Sequence, residues 1–393
     1  MRHRTSGVVK SCPTTHALKS AERLAGVLSI FMGLVVEPIH HGQNSDVHFG
    51  AQVKNVDLTC LSDEDFREIE SALYEHLLLV FKHQDHLKPE GQLEFTRRFD
   101  PGSRTFGVPD DVLHSEKSIL RREPKIPPKA PQVHIIGHGQ LDEYEGLKNV
   151  KLVHPTHHAF HRDPLPLHEQ KYTRFLRWHM DAALYGVHPP VATTLYAVVA
   201  PEGRQIVRYD DGSGEELETA SCATAFVSGE TMYERLSPQE KEFADQCYVE
   251  YAPQPFMWMS RCRSFNNGLG VYTEGRELPE SELPSIDQEK VQVLPMVWKN
   301  PRTGRKAVQV HPCVVKKLHV NGEVIEDLKK VREILYQLQR PAIRPSFVYA
   351  HPWESGDLVV FYDRGLMHSV TGVASSPRVM RQCSLSGSAG LAQ

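Results

Sequence analysis

A histidine and an aspartate separated by one residue restrict most strongly what this chain can fold into. His179 and Asp181 lie in the segment RWHMD at 177–181. On an extended strand, residues two positions apart point to the same side, so both side chains can bind one metal ion. A third ligand must come from another segment. The best candidate is His368, which follows an apolar, strand-like run and a short turn, so the fold must bring two distant segments together.

Two histidines and one carboxylate suit only some metals. They bind one face of an octahedral ion and leave the other positions free, as in non-haem Fe(II) oxygenases that also bind a cosubstrate and dioxygen. A catalytic zinc ion likewise uses three protein ligands and keeps one position for water. The ligand types alone therefore leave an iron oxygenase and a zinc hydrolase both open.

An arginine ten residues after His368 favours iron. Arg378 begins a segment whose alternation predicts a strand. The residues predicted to share its face are Arg378, Met380, Gln382 and Ser384. A guanidinium that points into a metal pocket can bind one carboxylate of a dicarboxylate bidentately while the other end chelates the metal, which describes 2-oxoglutarate. A zinc hydrolase would have no need for Arg378, and Arg381, on the opposite face, is expected at the surface or in a salt bridge.

The rest of the chain predicts short strands with fewer helices. Ser62 with Asp65 begins an amphipathic helix whose apolar spacing continues to Val80, Ser237 begins a helix with a capping box, and another helix is predicted over 325–338. Such a pattern favours a mostly β, α+β protein with a double-stranded β-helix (jelly-roll) core and surrounding helices. Non-catalytic binding proteins also use this fold, so the fold alone does not give the function.

Several longer segments resemble a known family. They are 49–53, 56–58, 79–81 and 97–99 in the amino-terminal part, and 143–148, 177–179, 208–214 and 381–383 further on. Together with the metal motif and Arg378, they resemble the Fe(II)- and 2-oxoglutarate-dependent taurine dioxygenase family from about residue 35 onward. Within this family, the second group of segments is most similar to the fungal 2-oxoglutarate-dependent xanthine dioxygenases.

The resemblance implies a site and a reaction. It implies that His179, Asp181 and His368 hold Fe(II), that Arg378 binds the cosubstrate 2-oxoglutarate, and that no further catalytic side chain is needed. The implied reaction converts xanthine, 2-oxoglutarate and dioxygen to uric acid, succinate and carbon dioxide. The alternative is a family member that acts on another small molecule, such as a sulfonate.

Substrate choice can be argued from Gln382. Members of the family that act on sulfonates carry a second arginine four residues after the cosubstrate arginine, whereas this chain has Gln382 there. A neutral amide offers both donor and acceptor, which suits the edge of a purine. Ser384 on the same face, and Gln132 and Lys148 in segments that match the xanthine-acting relatives, are the other candidate substrate residues.

One family feature is missing from its expected place. A threonine in the strand after the metal pair commonly contacts the far carboxylate of 2-oxoglutarate, but the segment at 204–208 reads RQIVR here. The sequence does not say which residue supplies this contact instead.

Composition argues against a nucleic-acid-binding protein and against a small fold held together by disulfides. The 393 residues, 40% of them hydrophobic, can bury a large core. A net charge of −4, from 45 basic and 49 acidic residues, gives no reason to expect a nucleic-acid partner. The seven cysteines show no Cys-x-x-Cys spacing, which indicates reduced thiols and a cytoplasmic enzyme. The oligomeric state stays open, with a homo-oligomer as one option.

The first 35 residues differ in character from the rest. They are rich in Arg and Lys, and the apolar run at 24–36 is too short for a membrane span. Such ends can direct import into mitochondria, but we expect a disordered extension, 1–35, before a catalytic domain, 36–393. A histidine-rich stretch at 154–168 is interrupted by prolines and is expected to form an irregular lid rather than a second metal site.

Overall fold

The computed structural model describes residues 33–103, 105–106, 108, 112, 115–119, 125–153, 156–166, 171–372 and 376–391. Within these residues it has twenty β-strands and seven α-helices. The prediction of a mostly β protein with helices is confirmed. The predicted amino-terminal extension lies outside the described residues except for 33–35.

The strands are numbered in chain order. The first ten are β1 (Val35–Pro38), β2 (Ala51–Lys54), β3 (Leu78–Phe81), β4 (Val133–Tyr144), β5 (Leu147–Leu152), β6 (Tyr172–Thr173), β7 (Ala192–Val199), β8 (Arg204–Arg208), β9 (Glu216–Ala220) and β10 (Thr224–Ser228). The others are β11 (Cys247–Tyr251), β12 (Val293–Pro295), β13 (Val297–Lys299), β14 (Lys306–Val308), β15 (Val315–Val320), β16 (Glu323–Ile325), β17 (Tyr349–His351), β18 (Leu358–Tyr362), β19 (Leu366–Val370) and β20 (Arg378–Ser384).

The helices are numbered in the same way. They are α1 (Asp63–His76), α2 (Pro89–Arg98), α3 (His157–Phe160), α4 (Gly229–Arg235), α5 (Pro238–Gln246), α6 (Pro255–Trp258) and α7 (Leu328–Gln339). Short 3-10 helices lie at Glu280–Glu282, Gln288–Lys290, Arg340–Ile343 and Pro345–Phe347. None of the helices in the described part of the chain is long and apolar enough to cross a bilayer.

Local capping chemistry explains where the predicted helices begin. The Ser62 hydroxyl accepts a hydrogen bond from the Asp65 backbone N–H, and α5 carries the predicted capping box between Ser237 and Glu240. Each such cap stabilises a helix by about 1 kcal/mol. The predicted extension of the first helix to Val80 is wrong, because Leu77 adopts a left-handed conformation that ends α1, and Val80 lies in β3. The carboxyl-terminal helix begins only at Leu328, since Ile325 belongs to β16.

The largest sheet carries most of the strands that matter for the site. Its order is β1-β2-β3-β18-β7-β20-β4-β5. The central strands β18, β7 and β20 pair antiparallel. Helix α2 packs on one face, where the buried Gln92 side chain donates to the Thr194 hydroxyl (3.1 Å) and the Arg381 carbonyl (3.3 Å). This helix therefore shields one face of the sheet from water.

A second, three-stranded sheet lies against the other face. Its order is β17-β10-β19, and β19 contains His368. The rings of Phe226 on β10 and Phe361 on β18 are 5.2 Å apart, and the His368 ring is 4.9 Å from Phe361. The candidate metal ligand on β19 thus lies between two sheets. Three smaller sheets have the orders β12-β11-β15-β16, β13-β14 and β6-β8-β9.

The histidine-rich stretch is only partly described, and His154 and His168 lie outside the described residues. Its described part contains the single-turn helix α3 and the buried His161, whose Nε2 lies 2.7 Å from the Phe175 carbonyl. Burial and this hydrogen bond make His161 a structural histidine. Apart from the turn of α3, the described part of the stretch is irregular, and its role as a lid stays a prediction.

Candidate metal centre

Backbone pairing holds the two candidate histidine ligands side by side. The segment before His179 runs antiparallel to β19, with isolated bridges at Phe175–Thr371 and His179–His368. The His179 N–H donates to the His368 carbonyl (2.9 Å), and the His368 N–H donates to the His179 carbonyl (2.8 Å). The segment is extended but does not form the continuous strand that its sequence predicts. Two residues paired in this way point their side chains to the same face.

The three candidate ligands converge on one point. Their nearest donor atoms all lie within 4.8 Å of one another. Asp181 Oδ1 is 3.9 Å from His179 Nε2 and 3.7 Å from His368 Nε2. Among the described residues, no other group of three such side chains meets this criterion. The His179 side chain is 33% exposed, so the site is accessible from outside.

Each of the two imidazoles has a feature that suits it to bind a metal. His179 Nδ1 lies 2.8 Å from the Arg177 carbonyl and must donate to it, which leaves the Nε2 lone pair for a metal. Burial lowers the pKa of His368 well below its ordinary value, with the charge of His179 as the next contribution. A neutral imidazole is the form that binds a metal.

Asp181 is the only acidic member of the cluster and is held by neighbouring polar groups. The Gln382 amide Nε2 donates to Asp181 Oδ2 at 2.7 Å. The Asp181 backbone N–H donates to Asp363 Oδ1 at 3.0 Å. Burial raises the pKa of Asp181, and burial followed by the charge of Asp181 raises that of Asp363. A cation between these groups would reverse this effect and favour both carboxylates in their charged form.

Arg378 is a buried cation that lacks a protein counter-ion. Its side chain is only 3% exposed, and its Nη2 donates to the Thr224 hydroxyl at 3.1 Å. Its Nε has no hydrogen-bond partner, and no described carboxylate forms an ion pair with it. Burial lowers the pKa of Arg378 to about 10, so the group stays charged at neutral pH. A buried charge of this kind is costly unless an anion is bound beside it.

The candidate substrate residues fall into two groups. Gln382 contacts the metal cluster directly, and the buried Ser384 hydroxyl lies 3.1 Å from that of Thr193. Gln132 is half-buried immediately before β4, and Lys148 is exposed on the edge strand β5, opposite Glu143. The structure brings Gln382 to the cluster and Ser384 to Thr193 beside it, but it shows no contact between Gln132 or Lys148 and the described residues of the site.

Sequence reasoning missed two features of the site wall. Thr224, the first residue of β10, contacts Arg378 although no family spacing pointed to it. On β4, His134 lies opposite Gln382, and its ring stacks on Phe106 with centroids 3.8 Å apart and an interplanar angle of 14°. The sequence alone does not show that Phe106 and His134 lie near Gln382. This follows only from the register in which β4 pairs with β20.

The segment 204–208, from which the family threonine is missing, forms β8 in a separate sheet with β6 and β9.

The expectation for Arg381 is wrong. Arg381 is neither at the surface nor in a salt bridge, because it is 1% exposed, donates to the Leu87 carbonyl (2.7 Å) and lies 3.8 Å over the Tyr196 ring. Its stacking on an aromatic ring, helped by the flat guanidinium, replaces the acidic partner.

Comparison with known proteins shows which family the chain is similar to. The family model "Taurine catabolism dioxygenase TauD, TfdA family" matches residues 36–384. The alpha-ketoglutarate-dependent xanthine dioxygenase xanA of Emericella nidulans is 53% identical over 364 residues, covering 91% of this chain and 98% of that protein. The corresponding xan-1 of Neurospora crassa is 49% identical over 365 residues, covering 90% and 87%.

A solved structure shares the fold. The crystal structure of a taurine dioxygenase from Burkholderia xenovorans superposes with a TM-score of 0.55 at 19% identity, covering 91% of this chain and 90% of that one. At this identity the superposition informs on the fold alone. The match over 36–384 and the identities over nearly the whole chain establish that the protein belongs to the taurine catabolism dioxygenase TauD, TfdA family.

Proposed function

We propose that this protein is an Fe(II)- and 2-oxoglutarate-dependent dioxygenase that hydroxylates xanthine to uric acid and releases succinate and carbon dioxide. The observation that carries the proposal is the buried guanidinium of Arg378, which has no acidic partner among the described residues and lies on the strand that also contacts the His-Asp-His cluster. The substrate is supported by the names of the two fungal relatives.

We infer that the two facing sheets form a double-stranded β-helix. The central strands β18, β7 and β20 on one side and β10 and β19 on the other enclose the Phe226–Phe361–His368 contact. In a jelly-roll, the interior between two such sheets is the natural place for a metal site. The taurine dioxygenase superposition supports this assignment.

The residues present fit a ferrous ion. His179, Asp181 and His368 would hold it, and the hydrogen bond at His179 Nδ1 leaves the Nε2 of that imidazole to face the ion. When bound, the iron couples the oxidative decarboxylation of 2-oxoglutarate by dioxygen to the insertion of one oxygen atom into a substrate C–H bond. The hydrogen bond from Gln382 would keep the Asp181 carboxylate oriented.

The far carboxylate of 2-oxoglutarate would be held by Arg378. Arg378 and Gln382 share one face of β20, four residues apart, which is roughly 13 Å along the strand. The arginine side chain and a five-carbon dicarboxylate together can span that interval toward the metal. The uncompensated charge of Arg378 then gains the anion that its burial requires.

The purine would bind on the side of Gln382. Since the Gln382 nitrogen donates to Asp181, its Oε1 is left as an acceptor for a purine N–H. The stacked Phe106 and His134 rings offer a flat apolar wall nearby. Ser384, Lys148 and Gln132 stay proposed substrate residues. Lys148 would need the edge strand β5 to approach a bound purine, since its side chain is exposed here.

One assay tests the whole proposal. Purified protein with Fe(II), ascorbate, 2-oxoglutarate and xanthine should show growth of the urate absorption band, and taurine should not replace xanthine. His179→Ala or Asp181→Ala should abolish this turnover while the protein stays folded by circular dichroism. Activity retained in both variants, or turnover independent of 2-oxoglutarate as in a zinc hydrolase, would contradict the proposal.

Arg378→Gln tests the cosubstrate site. It should raise the 2-oxoglutarate concentration needed for half-maximal turnover by more than tenfold, because a charge-assisted bidentate interaction is lost. Arg381→Gln on the same strand is the matched control, since its guanidinium faces away from the site. An unchanged requirement in Arg378→Gln with a large change in Arg381→Gln would mean that the cosubstrate binds elsewhere.

The cellular setting is part of the proposal. The six described cysteines are free thiols, which supports the cytoplasmic location expected from the sequence. A homo-oligomer stays an option that sedimentation of the purified protein would test.

A further inference from the structure

The hydroxyl group of Thr224 accepts two hydrogen bonds at once. One comes from Arg378 Nη2 and the other from the indole Nε1 of Trp353, each at 3.1 Å. All three residues are buried, with side chains 2%, 3% and 6% exposed for Thr224, Arg378 and Trp353. A hydroxyl oxygen has two lone pairs and one proton. Both lone pairs of Thr224 are therefore engaged.

The two accepted hydrogen bonds leave a single direction for the hydroxyl proton of Thr224. With two donors on the oxygen, the O–H bond must take the remaining direction. No described residue accepts a hydrogen bond from it. Next to the guanidinium of Arg378, a buried O–H without an acceptor needs an anionic or polar partner. Thr224 is thus prepared as a second donor to the anion that Arg378 binds.

Trp353 is itself held in place by a buried polar chain. It lies in the connection between β17 and β18, and its ring meets the His351 ring edge-on at 4.5 Å. His351 Nε2 lies 3.2 Å from Asp357 Oδ2, and the Tyr349 hydroxyl lies 2.7 Å from His351 Nδ1. Because a carboxylate can only accept, the imidazole donates to Asp357 and accepts from Tyr349. His351 therefore has a fixed orientation against the indole.

The pairing of β10 with β17 also helps to fix the orientation of these side chains. Thr224 on β10 is paired with His351 on β17, so the hydroxyl, the indole and the imidazole are tied to one pair of strands. Asp357 also accepts from Lys82 Nζ at 2.8 Å, which anchors the chain to the residue that follows β3. The orientation of the Thr224 hydroxyl is thus set by the protein before any ligand arrives.

We propose that Trp353 is a positioning residue for the cosubstrate: its indole N–H forces the Thr224 hydroxyl to donate to the carboxylate held by Arg378. The proposal rests on the proposed function, since it takes that carboxylate to belong to 2-oxoglutarate. Trp353 itself does not touch the cosubstrate. Its effect reaches the carboxylate only through Thr224.

A double-mutant cycle tests the proposal by equilibrium binding. Calorimetric titration of the anaerobic Fe(II) protein with 2-oxoglutarate gives Kd for the wild type, Trp353→Phe, Thr224→Val and the double variant. Trp353→Phe keeps an aromatic ring but removes the N–H, and we expect Kd to rise about fivefold. Thr224→Val should raise Kd at least as much. The double variant should match Thr224→Val within a factor of two, since Trp353 has no other route to the ligand.

Trp298→Phe is the matched control. Trp298 is also a buried indole whose N–H donates to a protein oxygen, the Pro295 carbonyl at 2.8 Å, but it lies in a different sheet. Its Kd should equal that of the wild type. In steady-state assays, Trp353→Phe should raise KM for 2-oxoglutarate and leave kcat within a factor of two, because the metal ligands are untouched.

A measurement on the unmodified protein covers the case in which Trp353→Phe does not fold. In the indole region of a ¹⁵N–¹H spectrum of the four tryptophans, the Trp353 signal should shift on addition of 2-oxoglutarate, and the Trp298 signal should not. An unchanged Trp353 signal, or a Trp353→Phe effect on Kd that persists undiminished in the Thr224→Val background, overturns the role of Trp353. Wild-type protein that binds no 2-oxoglutarate overturns the proposed function itself.

Discussion

At the scale of single residues, the site depends on side chains that serve two partners. Gln382 donates to Asp181, a proposed metal ligand, with its nitrogen, and we propose that its oxygen accepts from the substrate. Thr224 accepts from two donors, and we propose that its proton is donated to the cosubstrate carboxylate. Such groups link the ligand-binding atoms to rigid parts of the fold, so their substitution should affect binding and metal geometry together.

Gln382→Leu should weaken xanthine binding more than Fe(II) binding. Loss of the acceptor should raise KM for xanthine about tenfold, and loss of the donor to Asp181 should weaken Fe(II) binding by a smaller factor. Turnover of xanthine should therefore fall more than the decay of 2-oxoglutarate without substrate, which oxygen uptake with and without xanthine measures. Gln140→Leu, an exposed change on β4, is the control. Equal loss of both activities would argue against a substrate role.

At the scale of elements, the pairing of β20 with β4 places both Arg378 and Gln382. Gly137 on β4 lies opposite Val379 with φ of +122°. A methyl group on Gly137 would collide with the carbonyl oxygen of Arg378. Only glycine allows this close approach of the two backbones at a positive φ.

Gly137→Ala should therefore disturb the cosubstrate site through the backbone. We expect a loss of about 2–4 kcal/mol in the free energy of unfolding, from strain and from the broken pairing, and a raised KM for 2-oxoglutarate. Urea denaturation and steady-state kinetics measure the two effects. Gly212→Ala is the matched control, since Gly212 also has a positive φ (+91°) but open space around it. A cost no larger than that of the control would contradict this explanation.

The segment around α3 should make stability depend on pH. Burial, followed by the charge of His157, lowers the pKa of His161 from 6.5 to about 3. Between these values the unfolded chain binds the proton and the folded protein does not. The stability contribution of neutral His161 is thus complete above pH 6.5 and is lost as pH falls toward 3, by about 2 kcal/mol at pH 5.

His161→Gln should reduce this pH dependence. Glutamine can still donate to the Phe175 carbonyl but does not titrate, so the difference in unfolding free energy between pH 7 and pH 5 should shrink by about 1–2 kcal/mol relative to the wild type. Urea titrations at both pH values give the comparison. His319→Gln, at a half-buried histidine on β15, serves as control. An identical pH dependence in wild type and His161→Gln would show that His161 titrates normally.

At the scale of the whole molecule, the site joins parts of the chain that are far apart in sequence. The proposed metal ligands come from the segment before β7 and from β19, and the proposed cosubstrate contacts come from β10 and β20. A ligand that bridges these elements binds the folded state only. It should therefore stabilise the entire domain.

Thermal unfolding should show this linkage. At 100 times Kd, 2-oxoglutarate should stabilise the anaerobic Fe(II) protein by about 2.7 kcal/mol and raise Tm by several degrees. Arg378→Gln should lose this shift, and Arg381→Gln should keep it even if its own Tm is lower. An equal shift in Arg378→Gln would place the cosubstrate away from Arg378.

Local patterns in the sequence were sufficient for part of the site. The spacing of His179 and Asp181 and the face shared by Arg378 and Gln382 follow from the two-residue period of extended chains. The apolar run before His368 indicates a strand buried on both faces. Neighbours along the chain decide all three patterns. The helix starts at Ser62 and Ser237 were equally readable, because a cap is a contact between residues three apart.

The tertiary structure alone decided the rest. Thr224 meets Arg378, Gln382 meets Asp181 and Arg381 becomes buried over Tyr196 because particular strands pair in a particular register. Register depends on packing between segments more than a hundred residues apart, and a shift of one residue would turn each side chain to the other face. The sequence by itself determined which chemical groups this protein offers for the proposed binding of a metal and a dicarboxylate, and the pairing of β4, β7, β10, β19 and β20 decided which of them meet.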